Sequence, residues 1–210
     1  MEKFYKAGIE VQNLLSLEPC RRCSFLTLPA RLQVLSSLSK SLLDHPQGRN
    51  FPGILALGFW LRDANVKSIL RRVVDVEHGH RVPRGLVFHI APSNVESMFV
   101  YSWALSFLAG NINIVRITDR QTEESSIILF CLNQILVKFK IKTDQLFLSY
   151  PRNSQISSEI SKTCDARVIW GGDQTVKTLM SYETKPHCKN ITFADKRSFL
   201  LVNSEAVSYT

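Results

Sequence analysis

Glycine and proline are scarce in this chain, at 9 and 8 of 210 residues. Their scarcity excludes collagen-like and Pro/Gly low-complexity classes. Neither of the common phosphate-cradling glycine patterns, GxGxxG or GxxxxGK[ST], occurs, so any bound phosphate must be held in another way. Like charges never run to five, and no RNP, zinc-finger or basic-zipper pattern accompanies them. The five cysteines, Cys20, Cys23, Cys131, Cys164 and Cys188, are odd in number and widely spaced. With no secretory leader expected, they read as reduced thiols of a cytoplasmic protein. Cys20 and Cys23 form a lone CxxC. A structural zinc needs four ligands and the only other close pair is His187-Cys188, so no metal is expected. Cys131, inside an apolar run, reads as a small buried hydrophobe.

What remains is ordinary globular composition, 45% hydrophobic and 21% charged. That is sufficient for one full domain with a sizeable core and incompatible with a disordered tail. Net charge is +8. It is spread evenly: residues 1–105 carry 13 basic and 8 acidic groups, and residues 106–210 carry 13 and 10. A basic surface that attracts small anionic ligands fits this pattern better than a nucleic-acid partner, and none is expected. Ser97–Val115 is a stretch of 19 uncharged residues, formally long enough for a bilayer. Gly110-Asn111-Ile112-Asn113 interrupts it with a helix stop and two amides, so a helix followed by a buried strand is expected and a membrane span is not.

Leu28, Leu32, Leu35, Leu38 and Leu42 recur at three- and four-residue spacing, which predicts one amphipathic helix ended by His45-Pro46-Gln47-Gly48. Phe51–Leu61, opened by Asn50 with Pro52 in its first turn, and Ala64–Val74 predict further helix. Asp75–Pro83 reads as a polar connection. From Gly85 strand and helix alternate. Strands are expected at Leu86–Ile90, Ile112–Ile117, Leu146–Ser149, Arg167–Trp170, Asn190–Phe193 and Phe199–Val202. The helices between them are Val95–Ala109, one from Thr122 to about Lys138, Ser154–Thr163, and Asp173 to about Tyr182. Thr122 caps its helix and Glu123-Glu124 charge the first turn. This alternation predicts a helical region over 1–82 and an α/β domain with a parallel sheet over 83–210.

Ligands of open parallel sheets bind where strands end at their carboxyl edge. Ala91-Pro92-Ser93-Asn94, Arg116-Ile117-Thr118 and Trp170-Gly171-Gly172-Asp173 are such ends. Gly171-Gly172 reads either as a tight turn or as backbone free to face a phosphate or nicotinamide. Arg116 reads as a partner of a ribose or its 2′-phosphate, or as an exposed strand end. Asn94 is an amide donor or a helix N-cap. His89 reads as a satisfied core histidine.

Taken in order, Pro83 to Asn94, a helix ending in Gly110-Asn111, and Ile114-Val115-Arg116 resemble the start of an aldehyde-dehydrogenase cofactor domain. The nearest resemblance is to the LuxC-type long-chain acyl-CoA reductases of that superfamily. Leu55–Arg62 resembles the stretch ahead of their cofactor domain. Trp170–Asp173 resembles the strand-turn element beside the nicotinamide, and Phe193–Ser198 a later one. The resemblance implies a Rossmann-like parallel sheet of the aldehyde-dehydrogenase cofactor-binding type, with the catalytic domain missing. It implies NADPH, with NADH as the alternative, and a fatty acyl-CoA or other acyl thioester as substrate. Light emission is one setting in which the family works.

Residue by residue, the resemblance puts Ala91, Pro92 and Ser93 at the border of cofactor and substrate. It makes Asn94 the oxyanion donor to the thioester carbonyl. Arg116 stands where the superfamily usually has a lysine on the adenosine ribose, and its planar fork suits the 2′-phosphate of NADPH. Gly171, Gly172 and Asp173 would lie against the pyrophosphate–nicotinamide end. In the family reaction a cysteine thiolate attacks the acyl-CoA, CoA leaves, and hydride from NADPH yields the aldehyde. The superfamily's nucleophilic cysteine lies beyond the segment that Phe193–Ser198 resembles, and its general-base glutamate has no counterpart near Phe193-Ala194-Asp195-Lys196. The expectation is therefore a cofactor-binding part that does not reduce thioesters alone. Its partner would be a missing C-terminal catalytic half or an acyl-transfer protein; failing that, it is a cofactor-domain remnant that binds a partner.

Overall fold

The computed structural model describes residues 26–74, 82–92, 94–118, 122–141, 144–151 and 155–195. The Cys20/Cys23 pair, Ser93, Ser154, most of the Asp75–Pro83 connection and the expected strand Phe199–Val202 lie outside the described residues.

Helix α1 spans Leu28–Asp44. The Thr27 side chain caps it by accepting from the Ala30 N–H at 3.4 Å. Its leucine stripe turns Leu35, Leu38 and Leu42 into the core, whereas Leu28, on the first turn, stays exposed. Helix α2, Pro52–Trp60, begins with the expected proline, but its N-cap is Phe51. Asn50 closes a separate 3-10 turn, Gly48–Asn50, so it does not open the helix. Helix α3 covers Asp63–Val74.

Five parallel strands then form one sheet: β1 Leu86–Ile90, β2 Ile112–Ile117, β3 Gln145–Ser149, β4 Ala166–Trp170 and β5 Lys189–Phe193, in the order β3-β2-β1-β4-β5. The register aligns Phe88 with Ile114 on one side and with Arg167 on the other. Because β2 lies on one flank of β1 and β4 on the other, the chain reverses direction across the sheet beside β1. A crevice at the carboxyl edge is the geometric result. Helices α4 (Met98–Leu108), α5 (Glu123–Lys138), α6 (Ile156–Thr163) and α7 (Asp173–Met180) make the crossovers.

The turn that ends α4 requires glycine. Gly110 has φ +88°, and an added Cβ would press on Pro83 and Arg31. The Asn111 side chain then accepts the N–H groups of Arg84 and Gly85, tying the starts of β1 and β2 together. Residues of α1, α2, α4 and α5 share one core with Val115, Ile117 and Phe147 of the sheet. A second core under α6 and α7 gathers Phe88, Ile90, Ile114, Leu148 and Ile169. Among the described residues, no helix is long and apolar enough to cross a membrane.

Candidate cofactor cleft at the carboxyl edge

The cleft lies where the sheet order reverses and has a volume of about 660 Å³. Ala91, Pro92 and Asn94 line it from the end of β1, Arg116 from β2, and Gly171 and Gly172 from the end of β4. Six residues singled out from three separate strand ends thus meet in one place. Asp173 does not line it. Its carboxylate instead accepts the Asp195 N–H at 3.3 Å.

Arg116 is not a solvated strand end. β2 is an interior strand, and the guanidinium lies 5.0 Å over the Tyr150 ring while Nη2 donates to the Tyr150 carbonyl at 3.3 Å. Its Nε is buried without a partner, leaving an under-satisfied cation in the cleft wall. Burial pushes the Tyr150 hydroxyl up to about 12, so the ring is neutral beneath the cation. Tyr150 follows β3 directly, and sequence reasoning missed it because strand position alone does not reveal a stacking partner.

Asn94 is exposed and lies four residues ahead of α4, not at its N-cap. Val95–Ser97 form a hydrogen-bonded turn first, with the Met98 N–H donating to the Val95 carbonyl at 3.2 Å, and Ser97 is the N-cap residue. The expected start of that helix at Val95 is therefore three residues early, and the amide is left uncommitted to capping.

Gly171 and Gly172 turn the chain from β4 into α7, with Gly172 as N-cap and an extended backbone. Close packing, rather than unusual dihedrals, accounts for glycine here. A Cβ on Gly171 would meet Thr175 at 3.1 Å, and one on Gly172 would meet the Asp195 carboxylate at 3.0 Å. That carboxylate also accepts the Asp173 N–H at 3.2 Å. It thus sits at the positive end of α7, a place favourable to any anion. Sequence reasoning read Phe193–Ser198 as a later family element and looked near Asp195 for a general base, and so missed this role.

Trp170 and Phe193 stack at 3.8 Å between ring centroids, 8° apart, and form one wall of the cleft. Trp170 is held from behind by a buried polar chain. Its Nε1 donates to Ser102 Oγ at 3.3 Å, Ser102 bonds His89 Nδ1 at 2.8 Å, and His89 Nε2 bonds Asn113 Oδ1 at 2.9 Å. Asn113 Nδ2 and Trp103 Nε1 both donate to Gln145 Oε1. Since Asn113 Oδ1 can only accept, His89 donates through Nε2 and accepts at Nδ1. Burial lowers its pKa to about 4, so it is neutral and structural, as expected. Cys131 is also buried, as expected.

Among the described residues, no cysteine lines the cleft, and no group of three or more His, Cys, Asp or Glu side chains is placed to hold a metal.

A family model described as acyl-CoA reductase (LuxC) matches residues 65–210. Leu55–Arg62, expected to belong to the resemblance, precede the matched residues. No curated protein matches the chain by sequence. Solved structures similar to it include the aldehyde dehydrogenase KauB from Pseudomonas aeruginosa. It is 16% identical, with a TM-score of 0.66, covering 88% of this chain and 43% of that one. PnpE from Pseudomonas sp. WBC-3 is 12% identical, with a TM-score of 0.65 and coverage of 87% and 42%. A glyceraldehyde-3-phosphate dehydrogenase, GapN from Methanocaldococcus jannaschii DSM 2661, solved complexed with NADP, is 13% identical. Its TM-score is 0.60, with coverage of 87% and 45%. The likeness shows a Rossmann-like α/β fold of the aldehyde-dehydrogenase kind, and the chain spans less than half the length of these structures.

Proposed function

The chain belongs to the LuxC family of acyl-CoA reductases, and on that premise we propose that its α/β part holds NADPH for the reduction of a fatty acyl thioester. The observation that carries this reading is Arg116: a half-buried guanidinium with an unpartnered Nε, in a cleft at the sheet's reversal point. Such a cation fits a phosphate, and its planar fork suits the 2′-phosphate that distinguishes NADPH from NADH. NADP in the similar GapN structure is consistent with this assignment.

Gly171 and Gly172, with no side chain, would permit close approach of the pyrophosphate end. The bound cofactor supplies hydride. Ala91 and Pro92 would border it, and the stacked Trp170 and Phe193 would shield that wall from water. The Asn94 amide would donate to the thioester oxygen as negative charge develops. Thioester reduction also needs a thiolate, and we place its source outside the described residues, since Cys131, Cys164 and Cys188 lie away from the cleft.

Titration with NADPH and NADH, followed by nicotinamide fluorescence, tests the binding. Saturable binding with NADPH preferred is the expected result, and no binding of either cofactor would refute the reading. Arg116→Ala should cost roughly 10- to 100-fold in NADPH affinity and leave NADH nearly unchanged. Equal losses for both would remove the phosphate assignment.

One observation favours a second reading, a partner-binding module. The face of β4 and β5 beside α4 bears an apolar groove of about 570 Å³ with Leu105, Ile191 and Phe193 exposed. Stable association on gel filtration together with no nucleotide binding would favour that reading.

A further inference from the structure

Cys164 and Cys188 are 24 positions apart, yet their sulfurs lie 3.9 Å from each other. Cys164 is the C-cap of α6, buried, with its N–H bonded to the Ile160 carbonyl. Cys188 is half-buried and ends a turn whose N–H bonds to Lys185, immediately before β5. Among the described residues β5 is an edge strand with β4 as its one neighbour. All five of its residues are exposed or half-exposed, so it is the strand of this sheet with the least burial to hold it.

We propose that Cys164 and Cys188 form a reversible thiol–disulfide site that pins the edge strand β5 to the end of α6. Two thiols in van der Waals contact need move by only about 2 Å to reach bonding distance. Burial pushes the Cys164 thiol up, so the accessible Cys188 attacks first. With a low-molecular-weight disulfide such as oxidised glutathione, the Cys188 thiolate attacks one sulfur and expels one glutathione thiolate. Cys164 then gives up its proton and displaces the second glutathione from Cys188. Two protein thiols are oxidised to one disulfide, and one glutathione disulfide is reduced to two thiols. The bond would close a loop containing β4 and α7, and with them the Gly171-Gly172 turn and the Trp170 wall of the cleft.

The test treats the full chain with oxidised glutathione, quenches free thiols, and maps disulfide-linked peptides by mass spectrometry. Hydrogen exchange of the Lys189–Phe193 amides and the melting temperature are followed in parallel. The expected result is a Cys164–Cys188 linked peptide, slower exchange in β5, and a rise in melting temperature of roughly 5 °C or more. Dithiothreitol should reverse all three. Cys164→Ala should stop at a mixed disulfide on Cys188, whereas Cys188→Ser should leave Cys164 unmodified while the protein stays folded. Cys188 captured by glutathione without progression to the intramolecular bond would overturn the proposal. So would linkage confined to Cys20 and Cys23. A bond that forms while β5 amides exchange at an unchanged rate would overturn the pinning.

Discussion

His89 is 1% exposed and has both ring nitrogens committed, so a second proton would bring a charge into the core and force the Ser102 hydroxyl to turn away and accept from the ring. Its folded pKa of about 4 lies below the 6.5 of the unfolded chain. Between those values the unfolded state binds the additional proton, so stability is complete above pH 6.5 and falls as pH drops toward 4. The expected loss is about 3 kcal/mol over that window, measured by denaturant unfolding at a series of pH values. His89→Gln should flatten that part of the profile even if it lowers stability throughout. Arg116 shows the opposite balance: a charge kept in the structure with one donor unmet. Arg116→Met should therefore change stability by less than about 1 kcal/mol, or raise it, while losing the NADPH preference. A large destabilisation would mean that the stacking on Tyr150 outweighs the orphaned Nε.

At the scale of elements, the helix starts decide most of what surrounds the cleft. α5 begins with a reciprocal cap in which Thr122 Oγ1 accepts the Ser125 N–H and Ser125 Oγ accepts the Thr122 N–H. Thr122→Ala should cost about 1 kcal/mol in a denaturant midpoint. The start of α7 differs, because Asp195 places a carboxylate on the Asp173 N–H beside Gly172. An incoming phosphate must share that end of the helix with a like charge. Asp195→Asn keeps the shape and removes the charge, so NADPH should bind about two- to five-fold tighter in the fluorescence titration. Weaker binding by Asp195→Asn would show that the carboxylate positions the turn rather than competing with the ligand.

At the scale of the whole molecule, the helical lead-in is part of the core that supports the sheet. Leu35, Leu38 and Leu42 of α1 lie in one buried cluster with Trp103 of α4 and Leu132 of α5. Leu38→Ala should cost roughly 3 kcal/mol. It should also shift the unfolding of helix, followed by far-ultraviolet circular dichroism, and of the packing around the three tryptophans, followed by near-ultraviolet circular dichroism, by the same amount. Separate shifts would mean that α1–α3 fold apart from the sheet.

Much of this was legible along the chain because it depends on neighbours in sequence. β1 and β2 were bounded correctly since burial on both faces makes them mainly apolar and β-branched, interrupted by His89, Asn113 and Arg116, and Gly110 and Thr122 marked helix boundaries by local backbone chemistry. The residues at the strand ends could be nominated because carboxyl edges of parallel strands are where ligands bind. The start of α4 was missed because a hydrogen-bonded turn and a helical turn draw on similar residues, and that error is what kept helix capping as an alternative role for Asn94. Tyr150 under Arg116, Asp195 at the start of α7, and the meeting of Cys164 with Cys188 left no sequence signal at all. Each pair is brought together by strand order and register, which set distances between residues tens of positions apart. The sequence by itself determined the elements and the candidates for the cleft. Only the tertiary structure decided which of them share it, which charge is unpaired, and which thiols touch, because those are properties of packing rather than of local propensity.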